Sequence, residues 1–433
     1  MENTFNNLKF ALISLGCDKN TVDSEVMLGM LAGTGATFVS NLSRADVIII
    51  NTCGFLKDAV DESKEKIESA VVYRESGSCR ALVVTGCAAT RYRAEFEANP
   101  HIDLVVGVAE YGEFIPKLSE ILGQPMSPNT PAPRIPSTPK HYAYLKIAEG
   151  CDRYCSYCTI PAIRGAYTSR PVEELVEEAR YLAGLGVREL ILVAQDTTLY
   201  GTDIYGEQRL HILLGELAKI EGIHWLRLLY SYPEHIYDEL LDVMAREPKV
   251  LPYLDLPIQH SSDKILGLMN RKSTERALRE IITKIRARVP DIVLRTTLIA
   301  GFPGEDKKDF QALCDFIQEM EFERLGVFAY SREEGTPADK LPDHLEEKTK
   351  NARRERLMKI QQEISKKKLA KRIGTTLLAL VDGAGFGRTY GEAPEIDGVV
   401  EIAPESTAGN FVHVKITAAS EYDMIGEIYE PSK

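Results

Sequence analysis

Three cysteines in the short stretch CDRYCSYC are the side chains of this 433-residue chain best placed to do chemistry. Cys151, Cys155 and Cys158, the central triad, are separated by three and two residues. Structural zinc takes four ligands in a closed tetrahedron, and a catalytic zinc held by thiolates alone is a less common alternative. Each iron of a four-iron four-sulfur cluster needs a terminal ligand, so three cysteinates leave one iron open. The central triad therefore predicts such a cluster, whose open iron can bind a substrate or cofactor.

A second set of three cysteines, the N-terminal triad, is spread over the first part of the chain. Cys17, Cys53 and Cys87 each end an apolar, β-branched run: FALISLGC, DVIIINTC and ALVVTGC. Such runs are typical of buried parallel strands that alternate with helices. Because functional groups gather at the carboxyl ends of strands in open α/β sheets, we expect the three thiols to converge on one edge. Burial as a small hydrophobe, the usual fate of a free cysteine, is the alternative, and we favour it for Cys79 and Cys314.

The middle of the chain repeats strand and helix about six times. The candidate strands are AYLKIAEG, ELILVAQD, WLRLLYSY, YLDLPIQH, IVLRTTLIAGFPG and RLGVFAYS. This alternation predicts a parallel βα barrel, or part of one, with its working face at the carboxyl ends of the strands. Polar residues or glycines end nearly every strand, and the central triad follows the first one. We expect these groups to face one cavity: Gln195, Asp196, Ser231, Tyr232, Gln259, His260, Gly301, Gly304 and Ser331.

The sequence also indicates the domain boundaries and the cellular compartment of the protein. The fold class is α/β, with an N-terminal open parallel α/β domain at 1–122 and a Pro-rich linker at 123–140. A partial βα barrel at 141–344, a basic helical linker at 345–373 and a small β-barrel at 374–433 follow. The start, MENTFNNLKF, has no signal-peptide pattern, and no apolar run approaches a membrane span, so we expect a cytoplasmic protein without membrane contact. The net charge of -12 argues against a general nucleic-acid binder.

The CxxxCxxC spacing after the first barrel strand resembles the radical S-adenosylmethionine (SAM) superfamily. Within it, the layout of three domains resembles the methylthiotransferases over essentially the whole chain. The motifs that carry this resemblance are SLGCDKNTVDSEVMLG, NTCGFLKDA, TGCAATRY, AEGCDRYCSYCTIPAIRG, AQDTTLYG, PIQHSSDKIL, LIAGFPGE and YSREEGTPA.

The resemblance implies two 4Fe-4S clusters, one on each triad, and SAM bound to the open iron of the central cluster. An electron from an external donor then splits SAM into methionine and a 5′-deoxyadenosyl radical, which abstracts hydrogen from an unactivated carbon. The N-terminal cluster would present sulfur and a second SAM the methyl group, so that a C–H bond becomes C–S–CH3. Tyr157 matches an aromatic position near the adenine, with loop packing as its alternative. We expect Gln195, Asp196, Gly301 and Gly304 to be further SAM contacts, and His260 to be either a cavity residue or a structural histidine.

The family modifies two kinds of target, an adenosine of transfer RNA or an aspartate in the twelfth protein of the small ribosomal subunit. Residues 374–433 resemble the TRAM domain and carry ten acidic residues against three Lys or Arg, a net charge of -7. Such a surface should repel RNA and attract a basic ribosomal protein, with Glu392, Glu395 and Asp397 as rim charges. SLGCDKN also resembles the RimO branch, which acts on the ribosomal protein, more than the MiaB branch, where Gln-Met usually follows the cysteine. The reaction expected is therefore methylthiolation of the aspartate β-carbon.

Alternatives remain for this assignment. A MiaB-like transfer-RNA enzyme is one, and a non-catalytic iron-sulfur protein, which would not cleave SAM, is another. The basic linker holds eleven Lys or Arg between Lys348 and Arg372. Its apolar Leu357, Ile360 and Ile364 predict a helix packed along one face, with ribosomal RNA contact as the other possibility. Arg153 and Arg164 flank the central triad, where we expect them to neutralise nearby carboxylates.

Overall fold

A computed structural model describes residues 8–77, 79–124, 133–404 and 406–429 of the chain. It has two compact units. Unit 1 comprises Met1–Ser137, Glu149–Tyr154 and Cys158–Tyr167, and unit 2 comprises Thr138–Ala148, Cys155–Tyr157 and Thr168–Lys433. The predicted proline-rich linker lies partly outside the described residues, and the other predicted domain boundaries stay predictions.

Unit 1 is built on a five-stranded parallel sheet, as the apolar runs predict. Its strands are β1 Lys9–Ser14, β2 Thr37–Phe38, β3 Val47–Thr52, β4 Ala81–Gly86 and β5 Leu104–Val106, in the order β2-β1-β3-β4-β5. Every residue of β3 and β4 is buried, because helices cover both faces of the sheet. The helices are α1 Asp18–Ala32, α2 Lys57–Glu75, α3 Cys87–Arg91, α4 Arg93–Glu97, α5 Phe114–Leu122 and, after the central triad, α6 Ile160–Arg164.

Unit 2 begins with six parallel strands whose spatial order follows the chain, so that the first and last strands are edges of an open, partial barrel. The strands are β6 Tyr142–Lys146, β9 Glu189–Val193, β10 Trp225–Leu228, β11 Val250–Asp255, β12 Val293–Ala300 and β13 Arg324–Ala329. Two short strands, β7 Ala148–Glu149 and β8 Thr168–Ser169, come between β6 and β9 in the chain. The helices between them are α7 Val172–Gly184, α8 Leu210–Ala218, α9 Asp238–Arg246, α10 Asp263–Leu268, α11 Glu275–Arg288 and α12 Lys307–Met320. The predicted partial βα barrel is confirmed.

A long helix and a small closed barrel complete unit 2. Helix α13, Glu347–Ala370, buries Leu357 and Ile364, as its apolar spacing predicts, whereas Ile360 of the same predicted face is only half-buried. On its outer side, lysines pair with acidic residues of the same unit: Lys366 with Glu421, Lys367 with Glu321 and Lys368 with Glu323. The closed barrel consists of β14 Thr376–Gly383, β15 Phe386–Arg388, β16 Val400–Glu401, β17 Phe411–Ala419 and β18 Met424–Ile428. The fold class inferred from sequence is therefore confirmed in all three parts.

Two of the three acidic residues expected on an exposed rim of the small barrel, Glu392 and Asp397, have buried side chains instead. Glu392 is 2% exposed and pairs with Arg324 at 2.6 Å. Asp397 accepts a hydrogen bond of 2.6 Å from the Tyr253 hydroxyl, and Glu395, although exposed, accepts one of 3.1 Å from the Tyr142 hydroxyl. The rim prediction is wrong for Glu392 and Asp397. The βα barrel carries buried arginines near the starts of its strands, and a buried guanidinium needs a carboxylate partner.

Among the described residues, none of the helices combines the length and the apolar character that a bilayer crossing requires.

Candidate functional site

The N-terminal triad lies at the carboxyl ends of three neighbouring strands in unit 1. Cys53 directly follows β3, Cys87 directly follows β4 and opens α3, and Cys17 lies three residues beyond the end of β1. Strands β1, β3 and β4 are adjacent and parallel, so their ends share one sheet edge. All three cysteines are free thiols. The sheet thus brings together residues that are 34 to 70 positions apart in the chain.

Two glycines allow the three cysteine loops to approach closely. A Cβ added to Gly16, whose φ is +91°, would lie 2.9 Å from Cys53 Cβ and 3.1 Å from its Sγ. A Cβ added to Gly54 would lie 2.6 Å from the backbone nitrogen of Ala88 and 2.7 Å from the carbonyl carbon of Cys87. Neither position has room for a side chain. The loop of Cys17 therefore packs on Cys53, and the loop of Cys53 packs on Cys87.

The thiol of Cys87 lies in a mainly apolar environment with one cation. It is buried, and Val108 and Ile163 pack around it together with the partly buried Tyr111. The pKa of the Cys87 thiol is raised to about 11, chiefly by burial and to a smaller extent by Cys17 and Cys53, while the Arg164 guanidinium acts in the opposite direction. Thiolates gathered here would repel one another unless bound metal neutralised them. No three His, Cys, Asp or Glu side chains in the described ranges lie at the spacing of a single bound ion. A donor set of three thiols fits an iron-sulfur cluster.

Cys151 and Cys158 of the central triad belong to unit 1, and Cys155 belongs to unit 2. In unit 1, the backbone nitrogen of Cys151 donates to the Gly165 carbonyl at 3.1 Å, and Cys158 Sγ accepts from the Ile160 nitrogen at 3.5 Å. In unit 2, the buried Cys155 has its Sγ 3.5 Å from the Tyr232 hydroxyl. These contacts hold each cysteine by its local backbone or by a neighbouring polar group.

Arg271 is a site residue that the sequence reasoning missed. Its buried guanidinium lies 4.1 Å from the centroid of the Tyr232 ring, the same tyrosine whose hydroxyl contacts Cys155. Burial raises the pKa of the Tyr232 hydroxyl, and Cys155 raises it further while Arg271 opposes the shift. Arg271 follows α10 rather than a strand, so the rule that sites lie at strand ends could not identify it. A positive charge thus lies beside the Cys155 thiol.

Several buried polar atoms at the carboxyl end of the βα barrel have no hydrogen-bond partner among the described residues. They lie after β10, after β11 and α10, and after β13: Ser231 Oγ, both Glu234 carboxylate oxygens, His260 Nε2, Ser261 Oγ, Arg271 Nε and Nη1, and Tyr330 Oη. Buried polar groups in folded proteins are rarely left unpaired, so such a concentration indicates a polar ligand. Donors and acceptors of this kind suit the amino, carboxylate and hydroxyl groups of SAM.

The residues predicted from sequence to contact SAM differ in their burial and in their contacts within the chain. Tyr157 is half-buried and packs edge-to-face on Phe302, with ring centroids 6.5 Å apart. Gln195 is half-buried and lies two residues after the end of β9. Asp196 is fully buried, and its carboxylate accepts hydrogen bonds of 3.0 and 2.5 Å from Thr198 and lies 3.1 Å from His235 Nδ1. Asp196 thus shapes its own loop.

Gly301, Gly304 and His260, which we expected near the cavity, lie against other residues of the chain. A Cβ added to Gly301 would lie 2.6 Å from Lys350 Cγ, and one added to Gly304 would lie 3.2 Å from Leu268 Cδ1. The Gly301 nitrogen donates to Glu305 at 2.7 Å. His260 Nδ1 accepts from the Ser262 nitrogen at 2.9 Å, which agrees with the structural alternative for this residue. A role for these residues in SAM binding stays a prediction.

Comparison with known proteins agrees with this geometry. Residues 9–107 match a family described as Uncharacterized protein family UPF0004, residues 145–317 match the Radical SAM superfamily, and residues 373–428 match the TRAM domain. A protein of Acetivibrio thermocellus named ribosomal protein uS12 methylthiotransferase RimO is 47% identical, covering 98% of this chain and 99% of the relative. A Clostridioides difficile protein of the same name is also 47% identical, with coverage of 97% and 99%. The chain belongs to the RimO family of radical SAM methylthiotransferases.

This RimO-family chain is also similar in structure to solved proteins of low sequence identity. TsrM of Kitasatospora setae, a radical SAM methyltransferase solved with cobalamin and a 4Fe-4S cluster bound, has a TM-score of 0.57 and 16% identity over 77% of each chain. OxsB, a cobalamin-dependent SAM radical enzyme, has a TM-score of 0.52 and 12% identity over 83% of this chain and 56% of its own. At these identities the likeness shows a shared fold.

Proposed function

We propose that this chain is a radical SAM methylthiotransferase that converts a C–H bond to C–S–CH3 on the β-carbon of an aspartate in uS12, the twelfth protein of the small ribosomal subunit. One observation carries the proposal. The chain is 47% identical, over nearly its full length, to relatives named ribosomal protein uS12 methylthiotransferase. Both cysteine triads that this chemistry needs are present, and the N-terminal one converges at a sheet edge.

The central triad is the proposed ligand set for the cluster that binds SAM. With SAM, this cluster supplies a carbon radical able to take hydrogen from an unactivated carbon, which no side chain can remove as a proton. The protein binds SAM through the polar groups after β10 and β11 that have no hydrogen-bond partner among the described residues, and it excludes water around SAM. Tyr157, Gln195, Asp196, Gly301 and Gly304 stay the predicted SAM contacts, and an external one-electron donor is required.

The N-terminal triad is the proposed ligand set for the second cluster, where sulfur is delivered. The chain's own contribution there is to hold three thiols on closely packed loops and to place one guanidinium beside Cys87. Because those loops end β-strands whose residues are mostly buried, the thiols are held on rigid elements, as precise delivery of a group requires.

The proposed partner is the basic ribosomal protein, met by electrostatic attraction. The small barrel has a net charge of -7, but some of its carboxylates, such as Glu392 and Asp382, form ion pairs with arginines of the same unit. Glu401 and Glu427 are exposed on its strands and are the charges we assign to partner attraction. Contact with ribosomal RNA would fall to exposed basic residues of α13 before its last two turns, Lys348, Arg354 and Lys359. Lys366, Lys367 and Lys368, nearer the end of the helix, pair with acidic residues of the chain.

The decisive experiment is mass spectrometry of uS12 purified from cells with and without this gene. The expected result is a gain of one methylthio group on an aspartate that depends on the gene. A matched strain carrying the chain with the central triad changed to alanine should show unmodified uS12. In vitro, uS12 and transfer RNA with the susceptible adenosine are offered together. Modification of the RNA with uS12 untouched would overturn the substrate assignment in favour of the transfer-RNA branch.

A further inference from the structure

Arg164 links the segment that follows the central triad to the N-terminal triad. It is the last residue of α6, six residues after Cys158 in the chain, and belongs to unit 1 together with Cys87. Its side chain is 1% exposed. A guanidinium cannot lose its charge in a protein, so a buried arginine must be matched by acceptors on all sides.

All five N–H donors of Arg164 have acceptors. Nη1 donates to the two Glu149 carboxylate oxygens at 2.8 and 2.9 Å, and Nη2 donates to Asn20 Oδ1 at 2.5 Å and Asp23 Oδ2 at 3.1 Å. The remaining donor, Nε, points at Cys87 Sγ at 3.3 Å. Asn20 is itself fixed, because its Nδ2 donates to the Leu15 and Thr52 carbonyls. The direction of the Nε–H bond is therefore set by four other contacts.

A hydrogen bond to a ligand sulfur changes the redox properties of a cluster. When one electron enters the cluster, negative charge on its sulfurs increases, while the N–H proton stays on the guanidinium. A donor aimed at a sulfur therefore stabilises the reduced state more than the oxidised state and raises the reduction potential. Burial strengthens the effect, because little water is present to screen the charge.

We propose that Arg164 is a positioning residue of the second cluster, which holds Cys87 through an N–H···S hydrogen bond and raises the reduction potential of the cluster on the N-terminal triad. The inference rests on the proposed function, since that cluster belongs to it. Glu149 and Asp23 alone would already neutralise the guanidinium charge. Another buried arginine of the same unit, Arg134, pairs with Glu25 at 2.6 Å.

The experiment uses the full chain with the central triad changed to alanine, so that only the second cluster is titrated. Arg164→Gln and Arg164→Lys are reconstituted anaerobically, with Arg134→Gln as the matched control for loss of a buried arginine. Circular dichroism checks the fold, iron analysis checks the loading, and potentiometric titration followed by electron paramagnetic resonance gives the midpoint potential. The lysine variant keeps the charge but has no donor at the Nε position, so it tests the hydrogen bond if the glutamine variant fails to fold.

Both Arg164 variants should titrate at a more negative potential than their parent. We expect the reduction equilibrium to change on the order of tenfold, which is about 59 mV for one electron, with Arg134→Gln unchanged. Equal reduction potentials in the parent and the Arg164 variants, at full iron loading, would overturn this inference but leave the proposed function standing. Loss of iron from folded Arg164 variants, with the control loaded, would overturn it in favour of a purely structural role. A parent that binds no cluster on the N-terminal triad would instead overturn the proposed function.

Discussion

Replacing Glu189 with Gln should loosen the small barrel from the βα barrel. Glu189 is the first residue of β9 and is fully buried. One of its carboxylate oxygens accepts from Arg227 Nε at 2.7 Å, and the other accepts from Arg388 Nη1 at 2.8 Å. Arg227 belongs to β10 and Arg388 to β15, so one carboxylate joins the two parts of unit 2. A glutamine would turn an NH2 group towards one guanidinium and remove the negative charge from both.

The expected loss of stability depends on which partners Arg227 and Arg388 keep in the variant. Arg388 keeps the Asp382 carboxylate, at 2.7 and 2.9 Å. Among the described residues, Arg227 keeps no carboxylate partner and is left with the Tyr390 and Thr389 carbonyls and the face of the Tyr253 ring. Leaving a buried charge without its partner costs about 3–5 kcal/mol. For a unit of this size that loss corresponds to a fall in melting temperature on the order of 10 °C.

The chain contains one tryptophan, and it reports on this interface. Trp225 is buried in β10, and its ring centroid lies 4.9 Å from that of Phe411 in the small barrel. Thermal unfolding followed by tryptophan fluorescence therefore measures the separation of the two parts. Glu216→Gln is the control, because Glu216 forms an exposed pair with Lys219 and its loss should cost less than about 0.5 kcal/mol. A melting temperature for Glu189→Gln equal to that of the control would refute the reasoning.

The same variant should change the dependence of stability on pH. Burial alone would raise the pKa of the Glu189 carboxyl, but Arg388 and Arg227 together hold it below its ordinary value of 4.5. A lowered carboxyl pKa contributes stability that is fully present above pH 4.5 and is lost as the pH falls through the lower folded value. The difference in the free energy of unfolding between the parent and Glu189→Gln should thus be constant from neutral pH to about pH 4.5 and should shrink below that pH. A difference that grew in acid would contradict the assignment.

Three further predictions concern the clusters and the partner. The parent should bind about eight irons, and changing the central triad to alanine should leave about half of them and abolish SAM cleavage. Changing the N-terminal triad to alanine should abolish methylthio transfer but spare reductive cleavage to 5′-deoxyadenosine, because radical formation needs only the central cluster. Changing the exposed Glu401 and Glu427 to Gln should slow association with uS12 in stopped-flow mixing and weaken its salt dependence, since exposed charges act mainly on encounter rate.

Each of these has a clear opposing result. Full iron loading after loss of the central triad would exclude its assignment as a ligand set. Loss of SAM cleavage with the N-terminal triad, in a folded variant that keeps its central cluster, would exclude the division of labour. For the partner, Glu392→Gln is the matched buried control and should lower stability. An association rate and salt dependence like those of the parent in the Glu401 and Glu427 variant would reject long-range attraction by this surface.

Much of the fold and the thiol positions could be predicted because they are local properties of the chain. Runs such as DVIIINTC specify a strand and a cysteine at its end within eight residues. Parallel pairing of the three strands that precede these cysteines then brings Cys17, Cys53 and Cys87 to one edge of the sheet. The alternation of strand and helix in the same way predicts the order β6 to β13 of the partial barrel.

The partners of the charged residues were decided only by the tertiary structure. Nothing near Arg164 in sequence indicates that it points at Cys87, 77 positions away, or that Arg324 neutralises Glu392, 68 positions away. Charge counting assigned Glu392 and Asp397 to the surface, because composition records how many charges a segment has but not which of them meet an opposite charge. A side chain is buried or exposed according to what distant strands place beside it. Ionic partners and redox environment at this site are therefore properties of the folded chain.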